Sequence, residues 1–190
     1  TGAPICMVVY NKNADSSKYE KLKHVFRPGH ADYTFLKKYG IRDHRGGGRS
    51  SGRETLARVA AGAVAKQLLA AKGIKVYAYT REIYGMEAKT IDFNEIENNI
   101  VRCPDKRAAT KMIDAITKLR AEGDSVGGII EVVAQGVPAG LGDPVFDKLE
   151  ADLAKAMLSL PASKGFEVGS GFGTITITGR EHHDPMQSRR

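Results

Sequence analysis

The 190-residue sequence has no tryptophan, only two cysteines and no long apolar run. A helix that crosses a bilayer needs about 20 predominantly apolar residues together, so no membrane-spanning segment is expected. Cys6 and Cys103 are far apart and in no metal-ligand spacing, which excludes a disulfide framework and a zinc knuckle. They read as inert, packed thiols of a reduced, cytoplasmic protein. Aromatic residues make up 7% of the chain. Without tryptophan, a stacking motif or a zinc motif, the chain is poorly equipped to bind single-stranded nucleic acid. The opening Thr1-Gly2-Ala3-Pro4 has neither an initiator methionine nor the features of a signal peptide, so the sequence is expected to be cut from something longer.

What is present is an ordinary globular composition, 42% hydrophobic and 27% charged, at a length that suits one domain over 1–190. The net charge of +7 is unevenly spread. Between Arg27 and Arg53 stand Arg27, Lys37, Lys38, Arg42, Arg45, Arg49 and Arg53 against Asp32 and Asp43, an excess of +5 in 27 residues. A local excess of this kind faces an anion: a phosphorylated metabolite, a phosphorylated cofactor or a nucleic-acid backbone.

Strands and helices are mixed in the pattern of an α+β protein. Residues 5–10 are apolar and rich in β-formers, which predicts a buried strand. Ser17-Lys18-Tyr19-Glu20 has capping-box spacing and predicts a short helix to about Val25. Arg27-Pro28-Gly29 breaks the chain, and a helix over about 31–39 is closed by Gly40. A second capping box, Ser51-Gly52-Arg53-Glu54, opens the strongest helix, Thr55 to Lys72, whose alanines and Gly62 suggest a core position. A strand over 74–79, a helix over about 105–121 and a strand over 126–135 follow. Asp143-Pro144 is expected to start a helix to about Leu160, with Phe146, Leu149, Leu153, Met157 and Leu160 on one stripe. A last strand is expected over 173–178, and a charged, loose tail after it.

Chemistry concentrates between Arg27 and Glu54. Backbone amides in Gly46-Gly47-Gly48 can approach an anion closely, because no side chain intervenes. The helix terminus behind them adds free N–H groups, with Arg49, Ser50, Ser51 and Arg53 at hand. This makes a phosphate site; the competing reading is a basic loop before a well-capped helix. The pattern is neither a Walker loop nor a dinucleotide fingerprint. His30, three residues after Arg27, reads either as a proton donor beside a bound anion or as a histidine that packs or caps.

Phe26-Arg27-Pro28-Gly29-His30-Ala31-Asp32-Tyr33-Thr34 resembles a signature of the chorismate synthase family. So do Lys38-Tyr39-Gly40-Ile41-Arg42-Asp43 and Arg45-Gly46-Gly47-Gly48-Arg49-Ser50-Ser51, with Arg53-Glu54-Thr55 behind them. Glu122 to Gly128, Gly136 to Asp147 and Lys164-Gly165-Phe166-Glu167 continue the resemblance in the family's order over nearly the whole chain.

The resemblance implies a β-α-β sandwich with core helices between antiparallel sheets, a cytoplasmic homotetramer, and no nucleic-acid or membrane partner. It implies an anti 1,4-elimination that converts 5-enolpyruvylshikimate 3-phosphate to chorismate and phosphate. Reduced FMN would be required, with NADPH as a possible flavin reductant. Carried over by motif position, His30 would protonate the leaving phosphate. Arg49, Ser50 and Ser51 would bind FMN, and Arg27 and Arg53 would hold the substrate.

Several family segments are absent from this sequence: the Gly-Glu-Ser-His-Gly motif with the first catalytic histidine, the early arginines, the Asn-Ala-Gly-Gly flavin loop, the Lys-Pro-Thr-Ser-Ser segment and the Arg-His-Asp-Pro motif with its aspartate. His183-Asp184-Pro185 superficially resembles the last, but Gly179 to Asp184 fits better the Gly-Ser-Glu-His-Asn-Asp of relatives. Asp184 is therefore not assigned a catalytic role, and His182 and His183 read as solvent-exposed tail. The expectation is a folded core fragment of weak or no activity. A basic nucleic-acid-binding domain is the alternative.

Overall fold

The computed structural model describes residues 2–183 and 185; Asp184 lies outside the described residues. The described residues form an α+β structure of four α-helices, several 3₁₀ turns and one three-stranded sheet. By internal contacts the chain divides into two compact units, Thr1–Gly62 with Ala139–Arg190, and Ala63–Pro138.

In the unit Ala63–Pro138, strand β1 (Lys75–Ile83) pairs antiparallel with β2 (Met86–Glu87) on one side and with the later strand β3 (Gly128–Gln135) on the other. The register runs from Lys75 opposite Gln135 to Ile83 opposite Gly128, with a bulge between Thr80 and Glu82. A two-residue turn, Tyr84-Gly85, joins β1 to β2; both residues have positive φ, as the turn type that matches strand twist requires. Helix α3 (Lys106–Ala121) starts at Asp105, whose carboxylate accepts from the amides of Arg107 and Ala108. The same carboxylate accepts from the amides of Lys89 and Thr90, so one side chain both caps the helix and fastens the loop after β2. Ala88, Cys103, Ala108, Ala109 and Met112 form the buried cluster, with Ile83, Met86 and Val101 packed against it. Phe93 stacks on Tyr77 at 4.3 Å, covering one face of the sheet with an aromatic pair.

In the unit Thr1–Gly62 with Ala139–Arg190, α1 (Asp32–Tyr39) ends where Gly40 takes a left-handed conformation and donates to the carbonyl of Leu36. Helix α2 (Thr55–Ala71) begins in this unit after a 3₁₀ turn, Gly52–Glu54, capped by Ser51, and α4 is Leu149–Leu158. Arg58 on α2 donates to Oγ and to the carbonyl of Ser159, just past the end of α4.

Five sequence expectations need correction. Residues 5–10 belong to no strand, and Ile5, Val8, Val9 and Tyr10 are exposed: an apolar run becomes a strand only where another strand pairs with it. Residues 173–178 do not form a strand; most fall in a 3₁₀ turn, Gly171–Thr176, in which threonine hydroxyls bond back to the carbonyls of Gly171 and Gly173. The first short helix is 3₁₀, Ser16–Leu22, capped by Asp15 rather than Ser17, because the Asp15 carboxylate takes both the amide and the hydroxyl of Ser17. Asp143 opens no helix: its backbone bonds to Asp147 in an isolated bridge, α4 starts at Leu149, and Phe146 is exposed. Finally, α2 has no buried residue, so its alanines do not make it a core helix in this chain.

Candidate functional site

The sequence Arg27-Pro28-Gly29-His30 folds as a tight turn in which the amide of His30 donates to the carbonyl of Arg27 at 3.2 Å. Proline in the second place and a left-handed glycine (φ +68°) in the third are what a type II turn demands. The turn sets Arg27 and His30 side by side and leads directly into α1, with Asp32 as its first residue.

Asp32 is buried, 5% exposed, and collects every charged group around it. Arg27 donates from Nε to Oδ2 at 3.0 Å and from Nη2 to Oδ1 at 3.1 Å, a two-pronged contact that suits the guanidinium fork. Arg42 donates to Oδ2 at 3.2 Å. Nδ1 of His30 stands 2.8 Å from Oδ1, 3.1 Å from Nη2 of Arg27 and 3.2 Å from the Asp32 backbone nitrogen. The hydrogen bonds from Arg27 hold the Asp32 carboxyl well below the usual carboxylate range; the charges of Arg27, His30 and Arg42 act the same way, and burial opposes them. In return Asp32 raises Arg27. Nε2 of His30 has no hydrogen-bond partner among the described residues.

Arg42 counts toward the basic excess in the sequence, yet its guanidinium also donates to the carbonyls of Leu22, Lys23 and Val25. It also lies 5.1 Å over the Phe26 ring. It is a brace, not a free cation. Arg45 is spent as well, donating from Nε and Nη2 to both carboxylate oxygens of Asp43. Arg58 is tied to Glu54 at 2.8 Å. Glu54 therefore does not reach back to complete the capping box, and the Ser51 hydroxyl accepts from the amide of Arg53 rather than that of Glu54.

The guanidinium groups of Arg49 and Arg53 and the hydroxyl of Ser50 make no hydrogen bond or ion pair among the described residues. Neither do the amides of Gly47, Gly48, Arg49 and Ser50. Gly46, Gly47 and Gly48 all have positive φ, so the loop turns back on itself three times in succession. At Gly46 there is also no room: a Cβ would come within 2.7 Å of the Tyr19 ring, the ring over which Arg27 lies at 5.8 Å.

The structure thus brings Arg27 and His30 into contact and leaves Arg49, Ser50, Ser51 and Arg53 as a separate set at the head of α2. Sequence reasoning missed Asp32, which it counted only as a negative charge; its signal was the spacing, two residues after His30 and five after Arg27, at the start of a helix. A hollow of about 490 Å³ in the other unit, lined by Ile83, Ile116, Leu119, Val126 and Ile130 among others, contains none of the site residues expected from the sequence. Among the described residues no group of three or more His, Cys, Asp or Glu could hold a metal ion, and no helix is long and apolar enough to cross a membrane.

Comparison with known proteins matches residues 1–190 to the family model of chorismate synthase. A chorismate synthase of Roseiflexus castenholzii is 56% identical over 189 residues, covering 100% of this chain and 53% of that protein. One of Methanosarcina mazei is 55% identical over 188 residues, covering 97% of this chain and 52% of the relative. A crystal structure of chorismate synthase superposes with a TM-score of 0.75 at 33% identity, over 82% of this chain and 52% of that one. The chain spans about half the length of the curated relatives it matches.

Proposed function

The chain belongs to the chorismate synthase family, and from that premise we propose that it carries the phosphate-handling part of a centre that eliminates phosphate from 5-enolpyruvylshikimate 3-phosphate to give chorismate. In this reading the whole chain, 1–190, is one core segment of the family's domain. A family-length protein completes the centre and assembles as a cytoplasmic homotetramer. Alone, the chain turns over weakly or not at all, because the motifs with the family's first catalytic histidine and its aspartate are absent from this sequence.

One observation carries the reading. Among the arginines of this segment, Arg27, Arg42, Arg45 and Arg58 are each tied to a carboxylate, whereas Arg49 and Arg53 meet none among the described residues. Two unspent guanidinium groups beside free amides and the Ser50 hydroxyl are a donor set without an anion. That chemistry fits the phosphate of reduced FMN and the charged groups of the substrate. Arg49, Ser50 and Ser51 would hold the cofactor, and Arg53 with Arg27 the substrate. Reduced FMN, held by Arg49, Ser50 and Ser51, would supply the electron density and the proton acceptor that the elimination needs. His30, with Nε2 unengaged, donates a proton to the departing phosphate, which would otherwise leave as a poorer, more highly charged group.

Titration with FMN tests the reading. Arg49→Ala should weaken flavin affinity about 10- to 100-fold, the scale of a hydrogen bond to a charged group at 1.5–3 kcal/mol. His30→Ala in a family-length protein carrying residues 1–190 should slow phosphate release while sparing flavin affinity. Unchanged affinity in the Arg49 variant, or tight binding to single-stranded DNA with a steep salt dependence and no flavin preference, would overturn it.

A further inference from the structure

Residues 42–46 enter the glycine-rich loop with alternating faces. Arg42, His44 and Gly46 are partly buried, whereas Asp43 and Arg45 are exposed and pair with each other. All three inward residues meet one 3₁₀ turn, Ser16–Leu22, or the chain just after it. Arg42 donates to the carbonyls of Leu22, Lys23 and Val25. Nε2 of His44 stands 3.3 Å from Oε1 of Glu20. At Gly46 the Tyr19 ring fills the place of a side chain: an added Cβ would lie 2.7 Å from Cε2 and Cζ and 3.1 Å from the hydroxyl oxygen. The Arg27 guanidinium lies 5.8 Å over the same ring, and Asp32 pins it there through Nε and Nη2. A pinned cation on its face and a backbone at its edge leave the ring little freedom.

We infer that Tyr19 is a positioning residue for the flavin loop: its ring, backed by Arg27, fixes where the chain turns at Gly46. The amides of Gly47, Gly48, Arg49 and Ser50 follow directly, so that turn sets where they point. The inference rests on the reading of this loop as the flavin-phosphate site and names what aims it. The ring carbons stand closer to the missing Cβ than the hydroxyl oxygen does, so the ring is what the loop rests on. Gly47 supplies the contrast. It has φ +83° against +84° at Gly46, yet a Cβ on Gly47 would meet nothing within 4 Å. A side chain at either position carries the same backbone strain, and only the one at Gly46 also strikes Tyr19.

FMN titration of a family-length protein carrying residues 1–190 tests this. Tyr19→Ala should weaken flavin affinity about 2- to 10-fold, the scale of one aromatic contact. Tyr19→Phe keeps the ring and should recover most of that loss. Gly46→Ala drives a methyl group into the ring and should weaken affinity at least about 5-fold more than Gly47→Ala does. On the Tyr19→Ala background that gap should close, because nothing is left to collide with. A gap that survives removal of the ring, or a loss in Tyr19→Phe equal to that in Tyr19→Ala, would overturn the inference. Should Tyr19→Ala not fold, the glycines decide: equal affinities in Gly46→Ala and Gly47→Ala would overturn it just as well. Wild-type affinity in Arg49→Ala would instead remove the reading of the loop as the flavin site. Wild-type affinity in Tyr19→Ala beside a weakened Arg49→Ala would sink the positioning role alone.

Discussion

Each of the two units of this chain buries an aspartate, and the two are held in opposite ways. In the unit Ala63–Pro138, Asp105 is satisfied by four backbone amides and sits against a closed apolar cluster. In the other unit, Asp32 is satisfied by two arginines and a histidine. Every buried apolar residue among those described lies in Ala63–Pro138. The difference separates framework from chemistry. Amides are fixed in place by the fold and have nothing else to do, so a carboxylate they hold is structural. Guanidinium and imidazole groups are reagents, and a carboxylate that organises them costs stability elsewhere, since no apolar core accompanies it. The two units are expected to answer mutation and pH differently.

The largest expected effect lies in the apolar cluster. Met112 is fully buried on α3, and Met112→Ala should cost about 2–5 kcal/mol by lost transfer energy and the cavity left behind. Leu153→Ala on α4, where the side chain is 41% exposed, should cost less than about 1 kcal/mol. Urea unfolding with an unchanged slope measures both. Equal costs would break the comparison, because they would mean that the second unit hides apolar packing equivalent to the first.

Next in size is Asp105. Its amide bonds bring the carboxyl down to about 2 from the ordinary value of 3.8. A carboxyl lowered on folding contributes stability in full above its unfolded value. That contribution disappears as pH falls from about 4 through about 2, and the displacement corresponds to about 2 kcal/mol. Asp105→Ala should lose about this much at neutral pH, freeing the first turn of α3 and the amides of Lys89 and Thr90 together. It should also flatten the acid limb of stability measured between pH 2 and 6. A variant that retains the wild-type acid slope would show that amide bonding is not what holds this carboxyl low.

The same contrast governs what could be read from the sequence. α1, α2, α3, β1 and β3 were legible because their signals are local. Gly40, Gly73 and Gly123 stop helices, Cys103-Pro104 precedes the start of α3, and residues 75–79 alternate in character. Residues 5–10 and 173–178 were not legible, since β-forming composition says nothing about whether a partner strand exists. Of the site, the Pro-Gly turn announced that Arg27 and His30 would be neighbours, and Ser51 announced the cap before α2. What could not be read was which cations are already spent. Arg42 and Arg49 look alike as letters, and only the fold shows that the first binds Asp32 and three carbonyls while the second binds nothing described.

The smallest expected effect sharpens the comparison on the basic side. Tyr79 on β1 is 2% exposed and donates its hydroxyl to Oε1 of Glu131 across the sheet at 2.6 Å. Burial, and then that hydrogen bond beside a negative charge, raises the phenol to about 12 from 10.0. A group whose proton is held more tightly in the folded state stabilises in full below its unfolded value. The contribution fades as pH rises from about 10 through about 12. Tyr79→Phe keeps the ring and its place beside Phe93, so at neutral pH it should cost only about 1 kcal/mol, the net worth of an ordinary hydrogen bond. Arg81, 3.7 Å from Oε2 of Glu131, limits the loss by keeping that carboxylate accompanied. Unfolding curves at pH 8 and pH 11 check the sign: the wild type should lose stability between them by more than the phenylalanine variant does. Parallel losses would show that the Tyr79 hydroxyl is not what weakens the fold at alkaline pH.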